Sequence, residues 1–562
     1  MLFKILTKNI FIFTILLASS CSVLSINGFP KEKVYIVPKL ENGIYVIDQE
    51  LFTVPNRCYI IRNKCSLLGA TIKIPDECTL EFKRDANISD GVLYGNDTKI
   101  QASNKQIFAN NLILKGSFSA KAANPLWLGI IPDCQLDGNF KYISGTNWHE
   151  KFQQLLLFDN IQLAHNACYF IKGHLSLKTG QNFDGNYSTI KWAYTEYASL
   201  FEVGSGNGYK YVENTEMYNL CIIGNKLEAD DVTEQCHGIR IGYAKSIYLH
   251  DIKIQYCRGD GVYVGSNLTI PERKITPIDI CVERVECKYN HRQGMSITRV
   301  KGLIIKDSDF SYTSGTLPEA GIDIEPNVRR DESGKIYATE CQDIKITNCQ
   351  FVGNKGAGLL MGRSYCNATD LSKIVYNVNV DNCNIFQNPL SVTGGNNISI
   401  SNCTLINSQI NLLTPGYIQD LSFVNTEIIC NIPDNDLTAV TMKYSGSSTL
   451  IKNLLFDKVY ITGFGGYGIY IPNRLKGTYD TPVFYVSGLT ILNSKIEQCA
   501  VPLYIGKNAN NVLVSGNTFK AIPLNLLNSS QKSIRAESTV GVFMLDDKST
   551  HIDENNITDD QL

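Results

Sequence analysis

The sequence has little charge of either sign. Only 19% of its 562 residues are charged, with 52 Lys and Arg against 54 Asp and Glu, whereas 44% are hydrophobic. A chain of this composition has enough apolar surface to fold, which excludes an intrinsically disordered protein. The net charge of −2 provides no overall basic field for nucleic acid, so we expect no nucleic-acid partner.

Metal-binding cysteine spacings are also absent. The chain has 18 cysteines, but no two of them are spaced as C-x-x-C, so a structural zinc site has little support. Cysteine makes up about 3% of the sequence, well below the content of small disulfide-rich domains. We therefore predict no disulfide bonds, no metal and no bound cofactor.

Long apolar runs are missing as well, apart from a short one near the N terminus. Residues 10–18 are mostly apolar, follow two lysines and are too few to span a bilayer, which is typical of a signal peptide. Small residues then lead directly into Cys21, and this junction resembles a bacterial lipobox. The resemblance implies that residues 1–20 are removed and that Cys21 carries a lipid. The alternative is an ordinary signal peptide cut near Ser20.

A short pattern recurs through most of the chain. The pattern is apolar-x-apolar, then two polar or turn residues, then a small residue, any residue and a further apolar residue. Examples are residues 344–351, 378–385 and 398–405. The shortest separations between copies are 20 to 23 residues, and the longer ones match the same unit with insertions. The second apolar residue of successive copies is Met217, Leu249, Val282, Ile305, Ile346, Val380, Ile400, Phe423, Phe456, Ile491 and Val514.

A second pattern lies between these copies, where Gly or Pro precedes apolar-x-apolar, as in 261–264 and 321–324. Such pieces are typical of strands with one buried face, and Asn, Gly and Asp between them turn the chain. Two or three strands per repeat predict a solenoid whose coils stack about 4.8 Å apart with their strands in parallel. We therefore predict an all-β parallel β-helix with stacked Asn and Cys ladders. A propeller fits less well, because its blades repeat at about 40 residues or more.

The remaining segments complete the predicted organisation. One helix is expected around Trp148 to Asp159, and the polar chain from about Asp546 is expected to be disordered. The predicted parts are a linker at 21–34, an N-terminal β-rich cap or first coils at 35–126, the parallel β-helix at 127–530, and a C-terminal strand with an acidic flexible tail at 531–562.

Two segments carry a family resemblance. Residues 175–186 read Leu-x-Leu-x-x-Gly-x-x-Phe-Asp-Gly-Asn, and residues 290–298 with 316–327 form a second distinctive block. Here the chain resembles the right-handed β-helix proteins of the pectate-lyase-like superfamily, in the form that glycan-degrading Bacteroidetes export as lipoproteins. The resemblance implies a right-handed solenoid, a polysaccharide or oligosaccharide partner, and an outer-membrane anchor through the lipid on Cys21 alone. Whether the protein faces the periplasm or the outside stays open.

One outward-facing line of residues concentrates the candidate chemistry. The middle residue of apolar-x-apolar faces away from the core, which places Asp323 and Glu325 on the outward side of one strand. Their Cα atoms lie roughly 6.6 Å apart, and side-chain freedom covers the carboxyl separations of retaining and inverting glycosidases, about 5–5.5 Å and 6.5–9.5 Å. The predicted line consists of Arg240, Tyr263, Ser296, Asp323, Leu360, Ser391, Tyr470 and Tyr504.

The leading prediction is a glycoside hydrolase that uses Asp323 and Glu325 as acid and base, with the two roles unassigned. Predicted substrate-binding residues are Arg240, Tyr263, His291, Arg292 and Arg363.

Three alternatives stay open. A polysaccharide lyase would use His291 or Arg292 as the base, with calcium or an arginine neutralising the sugar's charge. A glycan-binding or adhesive surface protein would use the solenoid only as a scaffold. Asp323 and Glu325 would then be two charges on a solvated sheet.

Overall fold

The structure is a computed structural model. It describes residues 31–193, 198–204, 210–228, 234–265, 276–330, 336–362, 374–413, 417–443, 449–471, 484–506, 509–537, 551–552 and 556–558. The predictions for Cys21, the signal peptide and Arg363 lie outside these residues.

The chain forms two compact units. The first unit comprises Met1–Lys121 and Leu126–Gly129, and the second comprises Ala122–Pro125 and Ile130–Leu562. In the first unit, the described residues form a six-stranded parallel sheet and a smaller four-stranded sheet. The six strands are Lys33–Tyr35, Cys58–Ile61, Thr71–Lys73, Thr79–Phe82, Gly91–Gln101 and Leu112–Ser119, and the four are Lys39–Glu41, Ile44–Val46, Lys64–Ser66 and Asn87–Ser89.

The second unit is built on two long parallel sheets. The front sheet, as we call it, contains twelve strands in the described part of the chain. Each front strand pairs in parallel with the front strand of the next coil, so the sheet is a ladder with one strand per coil. The twelve strands are Leu175–Leu177, Phe201–Val203, Ile239–Ile241, Val262–Val264, Met295–Ile297, Ile322–Ile324, Leu359–Met361, Leu390–Val392, Ile410–Leu413, Val440–Lys443, Tyr467–Ile471 and Val501–Ile505.

The back sheet contains 25 strands among the described residues, most coils contributing a longer strand followed by a shorter one. These strands are Asn160–Gln162, Cys168–Ile171, Asn182–Trp192, Val212–Ile223, Ala244–Gln255, Ile278–Lys288, Val300–Lys306, Asp309–Ser311, Cys341–Thr347, Gln350–Val352, Val375–Asp381, Asn384–Phe386, Gly395–Ser401, Thr404–Ile406, Tyr417–Val424, Glu427–Ile429, Thr449–Asp457, Tyr460–Thr462, Phe484–Leu492, Lys495–Cys499, Ala509–Asn510, Leu513–Ser515, Thr518–Ala521, His551–Ile552 and Ile557–Thr558. The fold is therefore the predicted all-β parallel β-helix.

The register of the back sheet confirms the repeat found in the sequence. Met217 pairs with Leu249, Leu249 with Val282, and the series continues without a break to Ile491 and Val514. All of these side chains are buried at 1% exposure or less. Each inward apolar residue therefore lies above the equivalent residue of the previous coil.

Polar and thiol ladders hold one turn of successive coils. Asn348, Asn382, Asn402 and Asn425 all have a positive φ of 50–56°, a conformation that Asn tolerates better than most residues. The amide of Asn382 donates to Asn348 at 2.7 Å, and that of Asn425 donates to Asn402 at 2.6 Å. The next residues, Cys349, Cys383 and Cys403, are buried free thiols. The predicted Asn and Cys ladders are confirmed.

The described residues contain two α-helices, α1 at His149–Leu155 and α2 at Ser529–Glu537. Helix α1 confirms the predicted helix, although it is shorter, and it buries Phe152 and Leu155. Helix α2 begins two residues before the predicted C-terminal segment 531–562 and is absent from the sequence-based prediction. Neither helix is long and apolar enough to span a membrane. The smaller sheets of the second unit are two antiparallel pairs, Gln135–Leu136 with Tyr142–Ser144 and Val328–Arg330 with Ile336–Ala338.

The prediction of a disordered tail from Asp546 is wrong for part of that segment. Residues 551–552 and 557–558 pair in parallel with the back sheet. Between them, the buried Asn556 accepts a hydrogen bond from the backbone of Asn517 at 2.9 Å and donates to the carbonyl of Val514 at 2.8 Å. The polar composition hides this segment, because its amide side chain continues an internal ladder rather than facing water.

Steric crowding explains why glycine precedes several of the front strands. A Cβ on Gly294 would lie 2.5 Å from the carbonyl oxygen of Gly321 in the next coil. We expect Gly294→Ala to lower the free energy of unfolding by about 1–3 kcal/mol, the usual cost of overpacking. Urea unfolding checks this. Gly138→Ala is the control, since no atom lies within 4 Å of its Cβ position. Equal stability of both variants would contradict the steric explanation.

Candidate functional site

The outward residues of the front sheet form one continuous line. The register pairs the middle residue of each strand with the middle residue of the next, which confirms the order predicted from the sequence. Two residues absent from that prediction, Asn411 and Thr441, lie between Ser391 and Tyr470. Their strands escape the sequence pattern because Gln409 and Ala439, rather than Gly or Pro, precede them. The full line is Ser176, Glu202, Arg240, Tyr263, Ser296, Asp323, Leu360, Ser391, Asn411, Thr441, Tyr470 and Tyr504.

Asp323 lies on the outward side of its strand but is not solvated. Only 1% of Asp323 is exposed, and its neighbour on the line, Ser296, is 2% exposed. Glu325, two residues further along, is half-buried. The interpretation of Asp323 as a charge on an open sheet surface is therefore wrong, because polar side chains from the adjoining turns cover this part of the sheet.

Gln293 fixes the carboxylate of Asp323. Its amide nitrogen donates to Asp323 Oδ2 at 2.9 Å, while its amide oxygen accepts the backbone N–H of Ala320 at 2.8 Å. Gln293 is itself fully buried. Because both ends of the amide are bound, its orientation is set, and it presents a donor to the carboxylate. A hydrogen bond to a carboxylate stabilises the ionised form.

Arg292 lies at the centre of the surrounding charges. Its Nη1 is 3.3 Å from both carboxylate oxygens of Asp260 and 3.2 Å from Ser296 Oγ. Burial alone would lower the pKa of the guanidinium, but the carboxylates of Asp260, Asp323, Glu234 and Glu325 outweigh it and raise that pKa. Arg292 is therefore a permanent cation. We call Asp260, Arg292, Gln293, Ser296, Asp323 and Glu325 the Arg292 cluster.

An imidazole and a phenol border the cluster. Nδ1 of His237 lies 3.1 Å from the backbone nitrogen of Asp260 and 3.2 Å from Asp260 Oδ2. The His237 ring stacks on Tyr263 with centroids 4.9 Å apart. The Tyr263 hydroxyl shares a hydrogen bond of 2.8 Å with Thr298 Oγ1, and Arg240 lies 5.8 Å from its ring centroid. One face of Tyr263 is thus occupied by His237.

His291 does not join the cluster, although it adjoins Arg292 in sequence. Its Nε2 lies 3.0 Å from Thr316 Oγ1, and its ring packs against Gly315, where a Cβ would come within 2.2 Å of Nδ1. Burial, together with the cation of Lys226, lowers the pKa of His291. The turn directs these two consecutive side chains to different places, so His291 has a packing role in this structure.

Sequence reasoning missed His237 and Gln293 and did not single out Asp260. All three directly precede the glycine before a front strand, and their carbonyl groups accept hydrogen bonds from the previous coil. They are at most 3% exposed. Aligning the residue before each strand glycine gives His237, Asp260, Gln293, Ala320 and Ala357. Two coils have Ala at this position, which indicates that it is buried. Polar residues at the same position in the other three coils are the signal that could have revealed His237, Asp260 and Gln293.

The described residues contain no group of three or more His, Cys, Asp or Glu side chains arranged to hold a metal ion. The Arg292 cluster itself brings together carboxyl groups, a fixed amide and a guanidinium.

Comparisons with known proteins support the fold. A family model described as the right-handed β-helix region matches residues 237–428, which include the whole Arg292 cluster. The chain thus contains a right-handed β-helix region at residues 237–428. A search of curated protein sequences found no match.

Several solved structures are similar at low identity. The A-module of mannuronan C-5 epimerase AlgE6 from Azotobacter vinelandii is 11% identical, with 77% of this chain and 98% of that chain covered and a TM-score of 0.39. The catalytic domain of a GH87 α-1,3-glucanase is 13% identical, with 67% of this chain and 68% of that chain covered and a TM-score of 0.43. PfbA, a surface adhesin of Streptococcus pneumoniae, is 10% identical, with 72% of this chain and 92% of that chain covered and a TM-score of 0.41. Likenesses this weak carry no inference about chemistry.

The buried pair of Asp260 and Arg292 gives a test of the cluster. We expect Arg292→Met to destabilise the protein by about 3 kcal/mol, because it leaves the fully buried Asp260 without its cation. Asp260→Asn should likewise destabilise it. The double variant should be more stable than the sum of the two effects by about 0.5–3 kcal/mol. Urea unfolding of all four proteins measures this coupling, and strictly additive effects would show that the two side chains do not interact.

Proposed function

We propose that this chain is an exported glycoside hydrolase that cleaves a polysaccharide at the Arg292 cluster. The observation that carries the proposal is the convergence of three carboxylates, Asp260, Asp323 and Glu325, around one guanidinium on the outward side of the front sheet. Buried and partly buried titratable groups gathered in one place are typical of catalytic sites. Paired carboxyl groups are what glycoside hydrolysis requires.

The two predicted catalytic residues differ in their surroundings. Asp323 is buried and accepts a hydrogen bond from the Gln293 amide. Glu325 is half-buried, so a sugar bound over the sheet meets it first. We assign Glu325 as the general acid that protonates the leaving oxygen and Asp323 as the base or nucleophile.

Two further residues are proposed to bind the substrate beside the acids. Arg240 and Tyr263 lie on the same outward line, with Tyr263 two coils before Asp323. A guanidinium suits the carboxylate of an acidic sugar. Arg292 is paired with Asp260, so it orients the carboxylates and contributes positive charge near them.

The lyase alternative is less well supported by this geometry. A lyase needs a base beside the sugar proton that is removed. Of the two bases considered, His291 contacts Thr316 away from the cluster, and Arg292 has a raised pKa that makes it a poor proton acceptor. The remaining alternative is a non-catalytic glycan-binding protein. Cleavage of any polysaccharide by the purified protein would exclude it.

A panel of polysaccharides, read by product chromatography, tests the hydrolase. We expect reducing ends without new ultraviolet absorbance, since elimination on a uronic acid would create an absorbing double bond. Asp323→Asn and Glu325→Gln should each lower kcat by about 10²- to 10⁴-fold, the usual contribution of a general acid or base. Glu427→Gln, an exposed carboxyl on the back sheet, is the control and should retain activity. Full activity of both site variants would place the chemistry elsewhere.

We also propose that the mature chain is lipid-anchored to the outer membrane through Cys21, with no other membrane attachment. In a Gram-negative host, radiolabelled palmitate should be incorporated into the wild-type protein and lost in Cys21→Ser. Cys281→Ser, which changes a partly buried thiol of the back sheet, should remain labelled. An unlabelled wild-type chain of reduced length would indicate an ordinary signal peptide instead.

A further inference from the structure

We propose that the front sheet carries a second sugar-binding subsite, formed by Asn411, Tyr470 and Tyr504. It would hold a polysaccharide strand that runs across the coils from Asp323 and Glu325. This inference deepens the proposed function and rests on it for the chemistry at those two residues. Asn411, Tyr470 and Tyr504 lie on the same outward line as Asp323.

Asn411 is the first observation that points to a ligand. Its neighbours Ile410 and Leu412 are fully buried in the core, so the Asn411 side chain faces outward. Only 6% of Asn411 is exposed, yet its amide oxygen has no hydrogen-bond partner among the described residues. A buried polar atom left unsatisfied costs about 1–3 kcal/mol. This oxygen is buried, so a sugar hydroxyl would reach it only when the groups that cover it move aside, and by donating to it would remove that cost.

Three tyrosines two to three coils further along are the second observation. The ring centroids of Tyr467 and Tyr470 are 4.4 Å apart, and those of Tyr470 and Tyr504 are 5.2 Å apart. Tyr467 and Tyr470 are partly exposed, whereas Tyr504 is 7% exposed and contacts both of their rings. Sugar-binding surfaces combine an aromatic platform with a few fixed polar groups. Asn411 supplies such a group two coils, roughly 10 Å, before the tyrosines.

The spacing of these residues sets the size of the ligand. Asn411 is three coils from Asp323, and Tyr470 is five coils away. At about 4.8 Å per coil, these steps correspond to roughly 14 Å and 24 Å. No monosaccharide or disaccharide reaches from the catalytic acids to Tyr470. The ligand that uses both sites is therefore a polymer bound in an extended form.

Affinity electrophoresis of the full-length protein tests the subsite separately from catalysis. Gels containing polygalacturonate, xylan or dextran are run with Asp323→Asn protein, so that the polymer is not cleaved. In the gel that retards this protein, adding Tyr470→Ala should weaken binding by about tenfold, as expected for the loss of one aromatic contact. Asn411→Ala should also weaken it. Tyr376→Ala removes an exposed tyrosine from the back sheet and should have no effect.

Two further variants and measurements decide the outcome. Tyr470→Phe keeps the ring and should keep most of the binding, which separates a lost platform from a damaged fold. Unchanged retardation of both Tyr470→Ala and Asn411→Ala would overturn the subsite even if hydrolysis is confirmed. Retardation that depends on Tyr470 without cleavage of any polymer would support the subsite and refute the hydrolase. A wild-type protein that neither binds nor cleaves any of these polymers would refute both.

Discussion

The hydrogen-bonded register between successive coils is the constraint on which the rest of this structure depends. Each front strand pairs with the next one in parallel, so residues far apart in sequence lie in one line about 4.8 Å apart. Asp260, Ser296 and Asp323 come from three coils and still form one cluster. Insertions between coils change the sequence spacing but not this vertical alignment, which is why the loops can vary in length while the site stays intact.

This register also explains how much of the fold could be predicted. The inward residues Met217 to Val514 were found because burial demands an apolar side chain in every coil, and that demand is visible in the sequence. The strands containing Asn411 and Thr441 were missed because the marker was a preceding Gly or Pro. That marker reflects a close approach between coils, as at Gly294. The coils with Gln409 and Ala439 at this position accommodate a Cβ, so not every coil requires glycine there.

The candidate site was harder to predict, because outward is not the same as exposed. The alternation of apolar and other residues gave the direction of Asp323 correctly but could not give its 1% exposure, which depends on turns from neighbouring coils. The same limit applies to His291 and Arg292. They are consecutive in one turn, and only the backbone path shows that Arg292 reaches Asp260 while His291 packs against Gly315.

The burial of so many charges argues for a role beyond stability. Removing a carboxylate and a guanidinium from water costs several kcal/mol each, and their mutual attraction often only offsets that cost. An apolar residue would fill the place of Asp260 or Asp323 at no such cost, as Ala320 and Ala357 do at the turn position of Asp260 in other coils. The regular ladder of apolar and Asn contacts above and below supplies the stability that this cluster does not. The repeats of the β-helix thus hold the fold, and a few coils of the front sheet hold the buried charges of the Arg292 cluster.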